Sequence, residues 1–134
     1  MIRYFILLVF FAADLSKDSL CSHPQCKLRY DGIYTASVDE ETDAHIRFYD
    51  DGTVIVSTSV KNIKDVNTWF NKDNIDRVLK GKYKLKSCSV KFKVKGDTGE
   101  QQFRIDVFGE KLQAEITDGK TKASTTRTYR FIQP

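Results

Sequence analysis

Residues 44–60 read AHIRFYDDGTVIVSTSV. Two runs of alternating apolar and polar residues flank Asp50-Asp51-Gly52, and that period of two is the mark of a half-buried strand. Two hairpin registers compete. A two-residue Asp51-Gly52 turn would pair Phe48 with Ile55 and Ile46 with Ser57. A three-residue loop, a type I turn followed by Gly52 in the left-handed region, would pair Phe48 with Val54 and Ile46 with Val56. The second register sets apolar against apolar at both positions, and a slip of one residue would turn the whole set to the other face. The reading is therefore the three-residue loop. Ile46, Phe48, Val54 and Val56 point inward, while His45, Arg47, Tyr49, Ile55 and Ser57 point outward.

The same alternation spreads in both directions. Upstream, Tyr34, Ala36 and Val38 share one face, and an acidic loop, residues 39–43, leads into the hairpin. Downstream, Tyr83 and Leu85 alternate with lysines, as do Val90, Phe92 and Val94. Gln101, Phe103, Ile105 and Val107 share a face, then Leu112, Ala114 and Ile116, and finally Arg127, Tyr129 and Phe131. The exception is residues 62–72, NIKDVNTWFNK, where Ile63, Val66 and Phe70 fall at i, i+3 and i+7 with Trp69 beside them. That spacing predicts a short amphipathic helix, capped by Asn62. The fold expected is mainly β: about eight antiparallel strands in an up-and-down barrel, with one short helix between the third and fourth strands capping a mouth of the barrel. A half-open sheet packed on the helix is the alternative.

The chain has 134 residues, 40% of them hydrophobic and 30% charged, which suits one domain with its own core. Residues 1–30 read as a signal-like segment and irregular leader, and residues 31–134 as the barrel. Met1-Ile2-Arg3-Tyr4 and the apolar run FILLVFFAA, residues 5–13, have the order of a secretory signal. That run is too short to span a bilayer, so no transmembrane span is expected. The expectation is an exported protein, periplasmic or secreted; it is cytoplasmic if residues 1–13 are not a signal. Cys21, Cys26 and Cys88 leave open a local disulfide, a disulfide from tail to barrel, or free thiols. Cys21-x-His23-x-x-Cys26 fits no standard metal-site spacing, and neither a metal nor another cofactor is expected.

The segments RFYDDGTVI (47–55), TWFNK (68–72), GKYKLK (81–86) and TYRFI (128–132) resemble a group of small uncharacterised bacterial lipocalin-like proteins, over about residues 31–132. The resemblance implies a small antiparallel barrel and no particular activity. True lipocalins carry Gly-x-Trp in the first strand, with a late basic side chain over the ring. Gly32-Ile33-Tyr34 stands at that place here, which implies Arg127 or Arg130 over the Tyr34 ring at the closed end.

Catalytic patterns are not found: the chain has no G-x-S-x-G, G-x-x-x-x-G-K, H-E-x-x-H or C-x-x-C, and a non-enzymatic role is expected. Two binding surfaces remain. An eight-stranded barrel either fills with side chains or leaves room for one small ligand. Tyr34, Phe48, Trp69, Phe70, Tyr83, Phe103 and Tyr129 are the residues expected around a small apolar or amphipathic ligand at the mouth. The alternative is an outer lysine face, Lys82, Lys84, Lys86, Lys91, Lys93 and Lys95, meeting a protein or polyanion. Charge leans that way, with 7 Lys/Arg against 10 Asp/Glu in residues 1–67 and 15 against 8 in residues 68–134. Nucleic acid is not favoured, because Tyr83 and Phe92 have inward parity and leave no aromatics among the lysines for base stacking.

Overall fold

The decisive hairpin folds in the register that apolar matching selects. In a computed structural model that describes residues 26–61, 65–74, 77–96 and 99–133, Phe48 lies opposite Val54 and Ile46 opposite Val56. Gly52 sits at φ 92°, in the left-handed region open to a residue without Cβ. Its N–H donates to the Tyr49 carbonyl (3.1 Å), and the Tyr49 N–H donates to the Thr53 carbonyl (2.8 Å). The Asp51 carboxylate accepts the Thr53 N–H (2.9 Å) and closes the loop.

Eight strands follow in chain order: β1 (Ile33–Ser37), β2 (Thr42–Phe48), β3 (Thr53–Val60), β4 (Leu79–Lys86), β5 (Ser89–Gly96), β6 (Gly99–Phe108), β7 (Lys111–Asp118) and β8 (Ser124–Ile132). Each pairs antiparallel with its neighbour, and β8 returns to β1 to close a barrel. All connections but the one between β3 and β4, which carries the helix, are short and favour this meander, and closure removes the two edges that an open sheet would expose. One seam is short. β3 and β4 pair only from Thr53–Lys82 to Val56–Leu79, and β3 then runs on to Val60 without a partner on that side among the described residues. Gly81 lies in β4 near this seam. A Cβ there would run into the Lys93 carbonyl of β5, so glycine permits the close approach of the two backbones.

The interior is filled through most of its depth. Tyr34, Ile46, Phe48, Val54, Val90 and Val94 are fully buried. Phe48 meets Tyr34 and Tyr83 edge-on at centroid distances of 5.8 and 5.0 Å, and Phe92 stacks on Phe103 at 4.7 Å. The end of the barrel beside the β2–β3 turn is closed by residues 26–31, of which 26–30 belong to the stretch expected as leader. Leu28 enters the core. The Arg29 N–H donates to the Tyr34 hydroxyl (2.9 Å), and its guanidinium pairs with Asp31 and Glu110. Cys26 is bonded to Cys88 in the β4–β5 turn, the tail-to-barrel alternative. The cation at this end is Arg29, 4.1 Å above the Phe131 ring, rather than Arg127 or Arg130 over Tyr34. Phe131 in turn meets Tyr34 edge-on. Cys21, His23 and the signal-like residues 1–13 lie outside the described residues.

The helix departs from expectation in length and place. It is a single turn, α1 (Val66–Trp69), closed by one bond from the Phe70 N–H to the Val66 carbonyl (2.8 Å). Asp65 precedes it at φ 62°, a left-handed residue through which a right-handed helix cannot run. The proposed cap, Asn62, and Ile63 lie outside the described residues. α1 does not cover a mouth. Its segment packs on the outer wall of β1–β3, where Ile33, Ile55, Phe70 and Val78 form a second core with Val66 and Trp69 against it. Outward parity in β1 and β3 places Ile33 and Ile55 on the solvent side of the sheet, and that apolar surface is what the segment covers.

The disulfide spans 62 residues of sequence. In the chain-entropy model a loop of that size is worth about 4 kcal/mol of stability. A Cys26→Ser/Cys88→Ser variant is expected to lose most of it in urea unfolding while keeping the β-sheet circular dichroism of the native protein.

Candidate ligand site at the open mouth

The end opposite the disulfide carries the β1–β2 and β7–β8 connections and the far end of β3. Here the interior is not filled. A cleft of about 370 Å³ opens between the walls, with Ala44, Val56, Leu79 and Phe103 as its apolar surface and Gln101, Arg127 and Tyr129 as its polar groups. Strand parity explains this set. Each of these side chains sits on the inward face of its strand, from the mouth down to Phe103 and Tyr129 at the floor of the cleft. The cleft also touches Ser57, Arg77 and Val78, which lie outside the wall. It reaches them through the seam where β3 has lost β4 as a partner. Val38 and Val60, two exposed apolar side chains, stand at the same end.

Arg127 is the unusual member. It lies on β8 opposite Ala114 of β7, a small neighbour that leaves the guanidinium room inside the barrel. Its Nη1 donates to the Tyr129 hydroxyl at 3.3 Å. Tyr129 is buried, and burial pushes its hydroxyl pKa up. Among the described residues no carboxylate lines the cleft; the ionisable groups there are Arg127, Arg77 and His45, besides the Tyr129 phenol. Arg77 is engaged elsewhere, 4.2 Å over the Trp69 ring.

The residues expected around a ligand separate into three groups. Phe103 and Tyr129 line the cleft. Tyr34, Phe48 and Tyr83 face inward but belong to the filled part, Tyr83 donating its hydroxyl to the Tyr49 carbonyl (2.6 Å). Trp69 and Phe70 lie on the outer wall. Sequence reasoning passed over Gln101, Leu79 and Arg127 as site residues. For Arg127 the signal was present: it shares a face with Tyr129 and Phe131, and a cation of inward parity needs an explanation.

His45 also differs from expectation. Its parity is outward, yet it is 3% exposed, covered by Phe70 and Trp69 at centroid distances of 5.7 and 6.5 Å. Nδ1 lies 2.9 Å from the Thr35 hydroxyl, and Nε2 lies 2.7 Å from the Ser59 hydroxyl. Ser59 also donates to the Val60 carbonyl (3.1 Å). In the tautomer with the proton on Nε2, Thr35 donates to Nδ1, Nε2–H donates to Ser59, and Ser59 donates to the backbone. The imidazole is then a donor to Ser59, the reverse of a base that activates a nucleophile. A smaller cleft of about 280 Å³ lies beside it, lined by Ile33, Thr35, Asp43 and the α1 segment.

The lysine face is formed as parity requires. Lys80, Lys82 and Lys84 stand directly opposite Lys95, Lys93 and Lys91. Lys91 faces Arg104 on its other side, and Lys86 faces Ser89. Glu100 reaches Lys95 at 3.7 Å. Among the described residues no group of three or more His, Cys, Asp or Glu gathers as a metal site, and no helix is long and apolar enough to cross a membrane.

Burial pushes the His45 pKa down, against a smaller opposing effect of Asp43. The folded pKa therefore lies below the unfolded value of about 6.5, so the unfolded chain takes the proton first. Stability is expected to fall as pH drops from 7.5 to 5. The carboxylates act lower, since Lys72 holds Asp51 well below its ordinary range and backbone N–H groups hold Asp39 and Asp118 below theirs. In a His45→Gln variant, thermal melts should show a flatter dependence across that window. Comparisons with protein-family models, with curated proteins and with solved structures returned no match.

Proposed function

We propose that this protein is a non-enzymatic binding protein that holds one small amphipathic ligand in the open mouth of its barrel. The observation that carries this reading is the cleft of about 370 Å³ running from the Phe103–Tyr129 floor to the mouth. Its size falls in the range of small-molecule sites, and an apolar surface with a few convergent polar groups is the composition such sites have. The filled interior beneath limits the ligand to a short one. Export fits the same reading: the apolar run at residues 5–13 has the order of a signal, and the Cys26–Cys88 bond belongs to an oxidising compartment.

Thr58 tests the mouth with little harm to the fold, because it is exposed and borders the cleft. A Thr58→Trp variant should retain the native melting temperature and lose binding of an apolar fluorescent probe such as anilinonaphthalene sulfonate. Phe70→Ala, which opens the outer wall, should lose about 3–5 kcal/mol of stability and keep the probe. Probe binding that survives Thr58→Trp and disappears with Phe70→Ala would move the site to the outer wall.

A second reading is favoured by the Lys80–Lys95, Lys82–Lys93 and Lys84–Lys91 pairs. Like charges directly opposite one another destabilise a ladder, and a polyanion laid across β4 and β5 would relieve the repulsion. Lys84→Glu faces Lys91 with an opposite charge and should gain about 0.2–1 kcal/mol of stability. If the face binds polyanions, the same variant should elute from heparin at distinctly lower salt. Unchanged elution would remove this reading.

A further inference from the structure

Among the described residues the interior cation at the mouth has no carboxylate partner, and we infer that its ligand is an anionic amphiphile whose carboxylate is read by Arg127 and Tyr129. This rests on the mouth being the binding site and adds the chemical class of the ligand.

Arg127 has more donors than described partners. A guanidinium offers five N–H donors. One is spent on the Tyr129 hydroxyl, at a distance typical of a weak bond. The neighbouring acids among the described residues are engaged elsewhere. Asp43 pairs with Lys61 at 3.0 Å, and Asp118 accepts the N–H groups of Lys120 and Thr121. Glu115 pairs with Arg104 on the outside of the barrel, and Glu100 with Lys95. Across from Arg127 are Ala114 and the apolar surface of the cleft. A cation half-buried in such surroundings is disfavoured unless something negative shares the space.

The chemistry of the pair then selects the partner. The planar fork of arginine matches the two oxygens of a carboxylate, forming two parallel charge-assisted bonds. Tyr129 is close enough to Arg127 to donate its hydroxyl to the same group once the guanidinium turns to the ligand. Burial keeps that phenol protonated and able to donate. Gln101, also in the cleft, supplies an amide N–H. The apolar part of the ligand has its own place. From β8 the cleft crosses to Val56, Leu79 and Val78 at the seam. The ligand would lie across the mouth, its acid group on the β8 wall and its hydrocarbon toward the seam. The stacked Phe92 and Phe103 rings block descent toward the closed end.

Octanoate and octan-1-ol carry equal chains and differ in the acid group. Calorimetric titration of the full chain at neutral pH should show octanoate binding at least tenfold more tightly than octan-1-ol. Arg127→Gln should abolish that preference by weakening octanoate binding at least tenfold. Because an uncompensated interior cation is being removed, Arg127→Met should melt at or above the temperature of the unsubstituted protein. Equal binding of the two probes, or an octanoate affinity unmoved by Arg127→Gln, would overturn the head-group assignment and leave the mouth site standing. A clear drop in melting temperature for Arg127→Met would overturn it too, by making the arginine structural. Binding of neither probe would remove the mouth site itself.

Discussion

The meeting of the first and last strands is the constraint on which this molecule depends. Three residue pairs, Ile33–Ile132, Tyr34–Phe131 and Thr35–Arg130, turn a meander with two free edges into a barrel. The middle pair does most of this from inside. Tyr34 meets Phe131 edge-on across the joint, meets Phe48 on its other side, and accepts the Arg29 N–H from the covering segment. Closure, core and cover converge on one aromatic side chain. The disulfide acts on the same end by tying that cover to the β4–β5 turn. The molecule is therefore tied together at one end, and the room inside it lies at the other.

Two apolar clusters share one sheet. Inward residues of β1–β3 fill the barrel, and outward residues of the same strands hold the segment that follows β3. These strands are covered on both faces along part of their length, like strands in a layered protein, whereas β4–β8 have a solvated outer face. The polar contacts at the covered wall are matched to it. Arg47 donates to the Phe70 carbonyl (3.1 Å), the Lys72 N–H donates to the Tyr49 hydroxyl (3.1 Å), and the Lys72 ammonium pairs with Asp51 at 2.8 Å. The hairpin turn that sets the register thus also anchors the segment that wraps the wall.

Strand order, count and register were legible in the sequence, because period-two alternation and apolar matching are local. Phe48–Val54 and Gly52 illustrate this: one choice of turn fixed every facing residue of the hairpin. What parity cannot express is whether an outward residue meets water or a second layer. Ile55 and His45 point outward as parity requires, yet a second layer buries them, and Trp69 and Phe70, expected at the mouth with the helix, belong to that layer. The pairing of Cys26 with Cys88 depends on where the chain returns after 62 residues, which spacing alone does not give. Arg127 is a different case. Its inward parity was visible, but its meaning appears only when the neighbours are seen to offer no carboxylate.

The seam between β3 and β4 gives the barrel a built-in direction of opening. With only the stretch from Thr53–Lys82 to Val56–Leu79 holding the two strands, this joint has fewer ladder bonds to lose than the long joints from β4 to β8. The length of β3 beyond Val56, without β4 beside it, is a place for local opening far from the disulfide and next to the cleft. Local opening of this joint and the passage of a molecule into the mouth then follow the same movement. Whatever occupies the cleft, touching Val56 on one side of the joint and Leu79 on the other, acts as a clasp across this short joint.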